Sequence, residues 1–256
     1  MLQHVMNRPR IVLIAATMLG SALALPTAAI SQAQHPTASQ EQSTAPAVAL
    51  PTARDKMIYL YTRRAGMDRA EYQRVYRELH SPLGMQYFTN IIGYTVDFVN
   101  SEGGPDAFAE VWVPSAAEQM NPANALKPYE PEDMPRVEAD RRARAGNREE
   151  GFIVDEQVVR GGPIKAELGR TPGVKVIWIY HRGDKVPAPP AGAWRVVDNR
   201  VKNNPVGAAV NGVWKEGTSD IVLIRMAWAD DLGLLGTLAP GALVTTEWRF
   251  RPSPWK

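Results

Sequence analysis

The amino-acid sequence contains no cysteine in its 256 residues. This absence excludes disulfide bonds, thiolate nucleophiles, iron–sulfur clusters and zinc sites with cysteine ligands. Histidine is scarce as well, with four in the whole chain. Beyond His4 they are His35, His80 and His181, and none stands at an H-x-H or H-x-x-x-H spacing. The sequence therefore shows no positive sign of a metal site.

Motifs for phosphate binding and for serine hydrolysis are also missing. No glycine-rich loop follows a predicted strand, since Gly103-Gly104 and Gly161-Gly162 have the spacing of turn glycines. The sequence has no G-x-S-x-G motif either. The chain thus shows neither a phosphate-binding loop nor a nucleophile elbow.

The N-terminal segment predicts export. Arg8 and Arg10 precede an apolar run over residues 11–25, and Ser31-Gln32-Ala33 has the small residues of a cleavage site. We therefore expect a secretory signal over residues 1–33 and a periplasmic or secreted protein, with an uncleaved membrane anchor as the alternative. Residues 34–55 are rich in Gln, Pro, Thr, Ser and Ala, which predicts a disordered tether.

Charge is balanced once the predicted signal is removed. Without Arg8 and Arg10 the 29 basic residues fall to 27, which equals the number of acidic residues. No basic stripe remains to neutralise a phosphate backbone, so nucleic acid is not an expected partner. The remaining chain of about 200 residues is long enough to bury a core without disulfides.

A short fragment occurs twice in the chain. Residues 58–63 read Ile-Tyr-Leu-Tyr-Thr-Arg, and residues 177–182 read Ile-Trp-Ile-Tyr-His-Arg. Three further matches follow in the same order, and the first copy has the β-α-β-β-α-β pattern of a ferredoxin-like unit. We therefore expect an α+β fold with two such units, over residues 56–162 and 173–256. Together they are expected to form one intramolecular dimeric α+β barrel.

Local signals place a helix after the first strand. Asp68 and Glu71 form a capping box that begins it. We expect this helix to end before Pro82, because proline disfavours helical geometry in the residue that precedes it. In the second copy we expect a short helix over residues 193–202 and a strand over residues 206–214.

The first strand of each copy has an aliphatic face and an aromatic face. In the first copy the aliphatic face, with Ile58 and Leu60, is expected to meet the helices. The opposite face, with Tyr59 and Tyr61, is expected to lie between the two sheets. There it either lines a cavity for an aromatic or polyketide-like ligand or fills a core. Tyr180 has the equivalent place in the second copy.

His80 is the candidate catalytic residue. It follows Tyr76 by four residues and Tyr72 by eight, which places it on the buried stripe of the helix. A partly buried imidazole beside a cavity can act as a general acid or base near neutral pH. The alternative is a core histidine that hydrogen-bonds a backbone carbonyl. The candidate substrate-binding residues are Tyr59, Tyr61, Asp97, Trp112, Tyr180 and Trp228.

The motif His80-Ser81-Pro82-Leu83 closes a pattern that begins with a strand ending in arginine, a glycine turn and a capped helix. Over residues 56–113 this pattern resembles the EthD family of dimeric α+β barrels. The resemblance implies a small-molecule pocket and places the family's histidine at His80. The second copy has Asn203-Asn204-Pro205-Val206 in place of the motif, which implies one active and one structural half.

These observations predict an exported barrel protein that acts on a small hydrophobic or aromatic molecule. The expected chemistry is acid/base catalysis by His80, of lyase or cyclase type, which requires no cofactor. Oxidation is the rival chemistry, and haem is its candidate cofactor because the wider superfamily includes haem-dependent members. A non-catalytic small-molecule binding module is the alternative to an enzyme, and a homo-oligomer is compatible with either.

Overall fold

The computed structural model describes residues 53–101, 103–120, 126–202, 206–210, 213–214 and 219–254. The predicted signal and the predicted tether up to Thr52 lie outside the described residues. The tether was expected to continue to residue 55, but Ala53 is already buried and the first strand begins at Asp55. Within the described residues no helix combines the length and the apolarity that crossing a membrane requires.

The described part of the chain contains eleven strands and four short α-helices. The strands are β1 Asp55–Thr62, β2 Gly93–Val99, β3 Ala107–Val113, β4 Arg148–Arg160, β5 Gly169–Arg170, β6 Val174–His181, β7 Arg195–Val201, β8 Val206–Val210, β9 Val213–Trp214, β10 Ile221–Ala229 and β11 Leu243–Arg251. The helices are α1 Arg69–Val75, α2 Ser81–Tyr87, α3 Ala116–Gln119 and α4 Met134–Arg144. A π-helical turn, Tyr76–His80, connects α1 to α2, and 3-10 turns lie at Pro131–Asp133 and Leu232–Leu235.

Eight of the strands close into one antiparallel barrel. Around the barrel they follow in the order β1, β3, β2, β11, β6, β10, β7 and β4, and β4 pairs back onto β1. Closure provides each of the eight strands with a hydrogen-bonding neighbour on both sides. The hairpin of β8 and β9 pairs with β4 outside this ring, and β5 pairs with the end of β11.

The predicted fold class is therefore wrong. An α+β pair of ferredoxin-like units requires helices over both halves, whereas the described part of the second half contains no α-helix. Most of the helix expected over residues 193–202 is strand β7. The three valines of that strand favour it, because β-branched side chains lose conformational freedom in a helix and pack well in a sheet. The strand expected over residues 206–214 is the outlying hairpin.

The two faces of strand β1 are oriented opposite to the prediction. Ile58 and Leu60 point into the barrel and join its apolar interior. Tyr59 and Tyr61 point outward and pack in the cluster that the helices cover, where the Tyr61 ring lies 5.1 Å from that of Tyr76. Alternation along a strand establishes that the faces differ, but only closure of the barrel decides which face becomes the interior.

The helix after β1 does not end before Pro82. It continues over residues 69–87 through the π-helical turn. Proline lacks the N–H that would bond the carbonyl four residues earlier, and its ring crowds that carbonyl. The wider π turn, in which the Ser81 N–H donates to the Tyr76 carbonyl, accommodates the proline without ending the helix.

Candidate active site in a helix-covered cavity

A cavity of about 460 Å³ lies between the outer face of the barrel and the helices. The barrel side is formed by β1, β2, β3 and β4, and the helical side by α2, the π turn, α3 and α4. Its apolar lining includes Leu83, Phe88, Ile91 and Leu126. Its ionisable lining comprises His80, Asp140, Arg141, Arg144, Glu149 and four tyrosines, Tyr59, Tyr61, Tyr94 and Tyr129. The cavity thus combines an apolar wall with a concentrated polar one.

His80 is the last residue of the π turn, and its ring packs 4.6 Å from that of Tyr76. Isolated π turns are rare and recur at functional sites, because the extra residue re-aims the side chains that follow. Here Nδ1 of His80 lies 3.2 Å from Oδ2 of Asp140, which helix α4 supplies. The π turn therefore brings the imidazole to a carboxylate that is distant in sequence.

Asp140 is held in its ionised form. Burial acts to raise its pKa, but the hydrogen bond from His80 and the charge of Arg144 outweigh burial and lower the pKa to about 2. An ionised carboxylate has no proton to donate, so Nδ1 of His80 is the donor in this contact. A neutral His80 then carries its lone pair on Nε2. The two residues form an oriented His–Asp pair, the arrangement that a general base requires.

Arg144 extends this pair into a chain of charges. Its guanidinium lies 3.0 to 3.1 Å from the carboxylate of Asp140 and 3.1 Å from that of Glu149. Glu149 belongs to β4 and stands opposite Tyr61 in the β1–β4 ladder. The chain therefore connects helix α4 to the barrel wall and fixes the position of the His–Asp pair relative to the tyrosines.

Three phenols face the cavity as neutral groups. Burial raises the pKa of Tyr94 to about 12. Burial also raises the pKa values of Tyr59 and Tyr61, and the charge of Glu149 adds to both shifts. At neutral pH these hydroxyls can donate hydrogen bonds to a ligand oxygen, and their rings offer flat apolar surface.

The structure divides the predicted site residues among three places. Those at the cavity are His80, Tyr59 and Tyr61. Those inside the barrel are Asp97, Trp112 and Trp228. Tyr180 lies on the outer face of the second half, in an apolar cluster with Trp178 and Leu235. Of the predicted substrate-binding residues, Tyr59 and Tyr61 share the cavity with His80 and Asp140.

Sequence reasoning missed Asp140, Arg144 and Glu149. One signal was present, because Asp140 and Arg144 stand four residues apart, and side chains at that spacing share a face when the segment is helical, as it is in α4. Nothing in that spacing pointed to His80, which is 60 residues away from Asp140. The fold supplies that connection.

A second polar cluster lies inside the barrel. Nζ of Lys175 lies 2.7 Å from Asp97, 2.5 Å from Glu110 and 3.0 Å from Glu247. Lys56 lies 2.6 Å from Glu110 on the other side. The three carboxylates are close enough to share a metal ion, but the ammonium group of Lys175 already contacts all three.

No family model matches the chain, and no curated protein matches it. Its fold and site define a class: a closed eight-stranded antiparallel β-barrel with an external, helix-covered cavity that contains a His–Asp pair. The resemblance to the EthD family stays a prediction.

Proposed function

We propose that the helix-covered cavity binds a small hydrophobic or aromatic molecule and that His80 transfers a proton to or from it. The observation that carries this proposal is the His–Asp pair on the wall of a cavity that also presents neutral phenols. A volume of about 460 Å³ falls within the range of small-molecule sites. The apolar wall supplies binding energy, and the polar wall supplies the chemistry.

The geometry supports general base catalysis by Nε2 of His80. Asp140 orients the ring through Nδ1 and stabilises the imidazolium that forms when Nε2 takes a proton. The hydroxyls of Tyr59, Tyr61 and Tyr94 can donate hydrogen bonds to an oxygen on which negative charge develops. Abstraction of a proton next to a carbonyl, followed by elimination or ring closure, is the lyase or cyclase chemistry that these groups serve.

The experiment begins with the molecule that the protein retains. The purified protein is extracted and the extract identified by mass spectrometry, and compounds of that class are then assayed for turnover. His80→Gln removes the base, and we expect kcat to fall by about 10²- to 10⁴-fold. His181→Gln is the matched control, because His181 also pairs with a carboxylate, Asp220, at 2.7 Å but stands exposed on another part of the barrel.

Each outcome has a distinct reading. Full activity in His80→Gln contradicts the proposed role of His80. Retention of a ligand by the wild-type protein without any turnover supports the binding module instead. Oxygen consumption or a haem absorption band in the purified protein supports the oxidative alternative.

Export is tested separately by cell fractionation and by the N-terminus of the recovered protein, and an intact Met1 in the cytoplasmic fraction contradicts it.

A further inference from the structure

The cluster around Lys175 places an amine directly beside a carboxyl group in a dry interior. Nζ of Lys175 lies 2.7 Å from Oδ2 of Asp97. The carboxyl carbon Cγ, which an amine would attack, is bonded directly to this oxygen. Both side chains are buried, with at most 1% of either exposed. They come from strands β6 and β2, which are separated in the barrel by β11 alone. The proposed chemistry of the outer cavity uses neither residue.

The protonation states around Lys175 are unequal. Burial raises the pKa of Asp97 well above its usual value, which favours the neutral carboxylic acid. Burial also acts to raise the pKa of Glu110, but the charges of Lys175 and Lys56 outweigh it and lower that pKa. Burial acts to lower the pKa of Lys175, but the surrounding carboxylates outweigh burial and raise it, so Lys175 rests as an ammonium. The site therefore holds an ammonium, a carboxyl group that favours its neutral form and an ionised carboxylate within contact of one another.

We propose that Lys175 and Asp97 condense into an intramolecular amide bond, with Glu110 as the group that accepts the proton of the amine. The ammonium first passes one proton to the carboxylate of Glu110, 2.5 Å away. The free amine attacks Cγ of Asp97, and the bond from Cγ to its hydroxyl breaks. A second proton of the nitrogen leaves with that hydroxyl as water. The products are one amide, one water molecule and a protonated Glu110, so atoms and charge balance without an oxidant or a reductant.

Several features of the surroundings support condensation once the amine is free. A buried ammonium loses its hydration, and condensation removes that charge from the interior. Oδ1 of Asp97 is buried and has no hydrogen-bond partner within the described residues, so the unreacted acid leaves one oxygen unsatisfied. Close and fixed approach of amine and carbonyl supplies the rate advantage of an intramolecular reaction. In a chain without cysteine, the amide serves as a covalent connection between residues 78 apart.

The mass of the wild-type protein tests whether the amide bond has formed. After denaturation we expect the chain to weigh one water molecule less, about 18 Da, than its sequence from the observed N-terminus. Trypsin cannot cleave after an acylated lysine, so residues 171–182 are expected to remain uncut and joined to the peptide that contains Asp97. A full mass together with cleavage after Lys175 overturns the proposal, and this reading requires no variant.

Variants then assign the roles. Asp97→Ala removes the electrophile and Glu110→Gln removes the base, and each is expected to restore the full mass. Asp198→Asn is the matched control, because Asp198 belongs to a different buried ion pair, with Arg225 at 2.6 Å, and the mass loss is expected to persist. A mass loss that survives in Asp97→Ala contradicts the assignment of that residue.

Discussion

The Asp140 carboxylate allows a prediction with a defined magnitude and pH window. Its pKa is about 2 in the folded protein, against 3.8 for an unperturbed aspartate. This difference corresponds to roughly 2 kcal/mol of stability at 1.36 kcal/mol per unit, and partial screening by solvent reduces the expectation to about 1–2 kcal/mol. Because the folded pKa is depressed, the contribution is complete above about pH 4 and is lost as the pH falls through 2. Asp140→Asn removes it.

The assay is urea unfolding of the wild-type protein and Asp140→Asn at pH 7 and at pH 3. We expect the variant to be less stable by about 1–2 kcal/mol at pH 7, and the difference to shrink by roughly half at pH 3, as the wild type begins to lose its contribution. Asp220→Asn is the control, since Asp220 pairs with His181 on the surface and exposed pairs contribute little. Equal stabilities at pH 7, or a difference independent of pH, would refute the reasoning.

Two further predictions concern side-chain and backbone packing in the barrel that supports the site. Phe108 is fully buried in the barrel interior, so Phe108→Ala should lower the free energy of unfolding by about 3–5 kcal/mol in urea titrations, and a loss below about 1 kcal/mol would show that the interior is loosely packed. At Gly192 an added Cβ would lie 1.8 Å from the carbonyl oxygen of Leu234, so Gly192→Ala should cost roughly 1–3 kcal/mol, measured as a lower Tm. Gly161→Ala, which meets only Val158 at 3.9 Å, should leave the Tm nearly unchanged, and a drop equal to that of Gly192→Ala would contradict the clash.

Some local features were predictable because they depend on neighbouring residues. The Asp68 half of the capping box is confirmed, since the Glu71 N–H donates to Asp68 at 3.1 Å, whereas the Glu71 carboxylate accepts from Arg74 at 2.8 Å. The first strand, expected at the repeated fragment over residues 58–63, is confirmed as β1 Asp55–Thr62. The half-buried position of His80 beside Tyr76 agrees with the expectation from helical spacing. These are properties of short segments.

Other features depended on contacts between segments that are distant in the sequence, which a local pattern cannot predict. Pro82 was expected to end its helix because proline disfavours helical geometry at Ser81, but packing against the barrel retains the helix and a π turn accommodates the proline. The same packing brings Asp140 to His80. Lys175 is the opposite case. It alternates in step with Ile177 and Ile179 along the strand, so the sequence itself places a charged side chain on an apolar face. That signal was readable from the sequence, whereas its carboxylate partners were not.

The sequence by itself determined where strands alternate, where the first helix begins and which histidine has a buried position, because hydrogen bonding and side-chain periodicity act over a few residues. Only the tertiary structure decided that the strands close into one antiparallel barrel, because closure is a property of all eight strands together. Closure in turn selected Ile58 and Leu60 for the interior and left Tyr59 and Tyr61 to the cavity outside. The candidate chemistry therefore lies between the barrel and its helices, where the pairing of distant segments placed it.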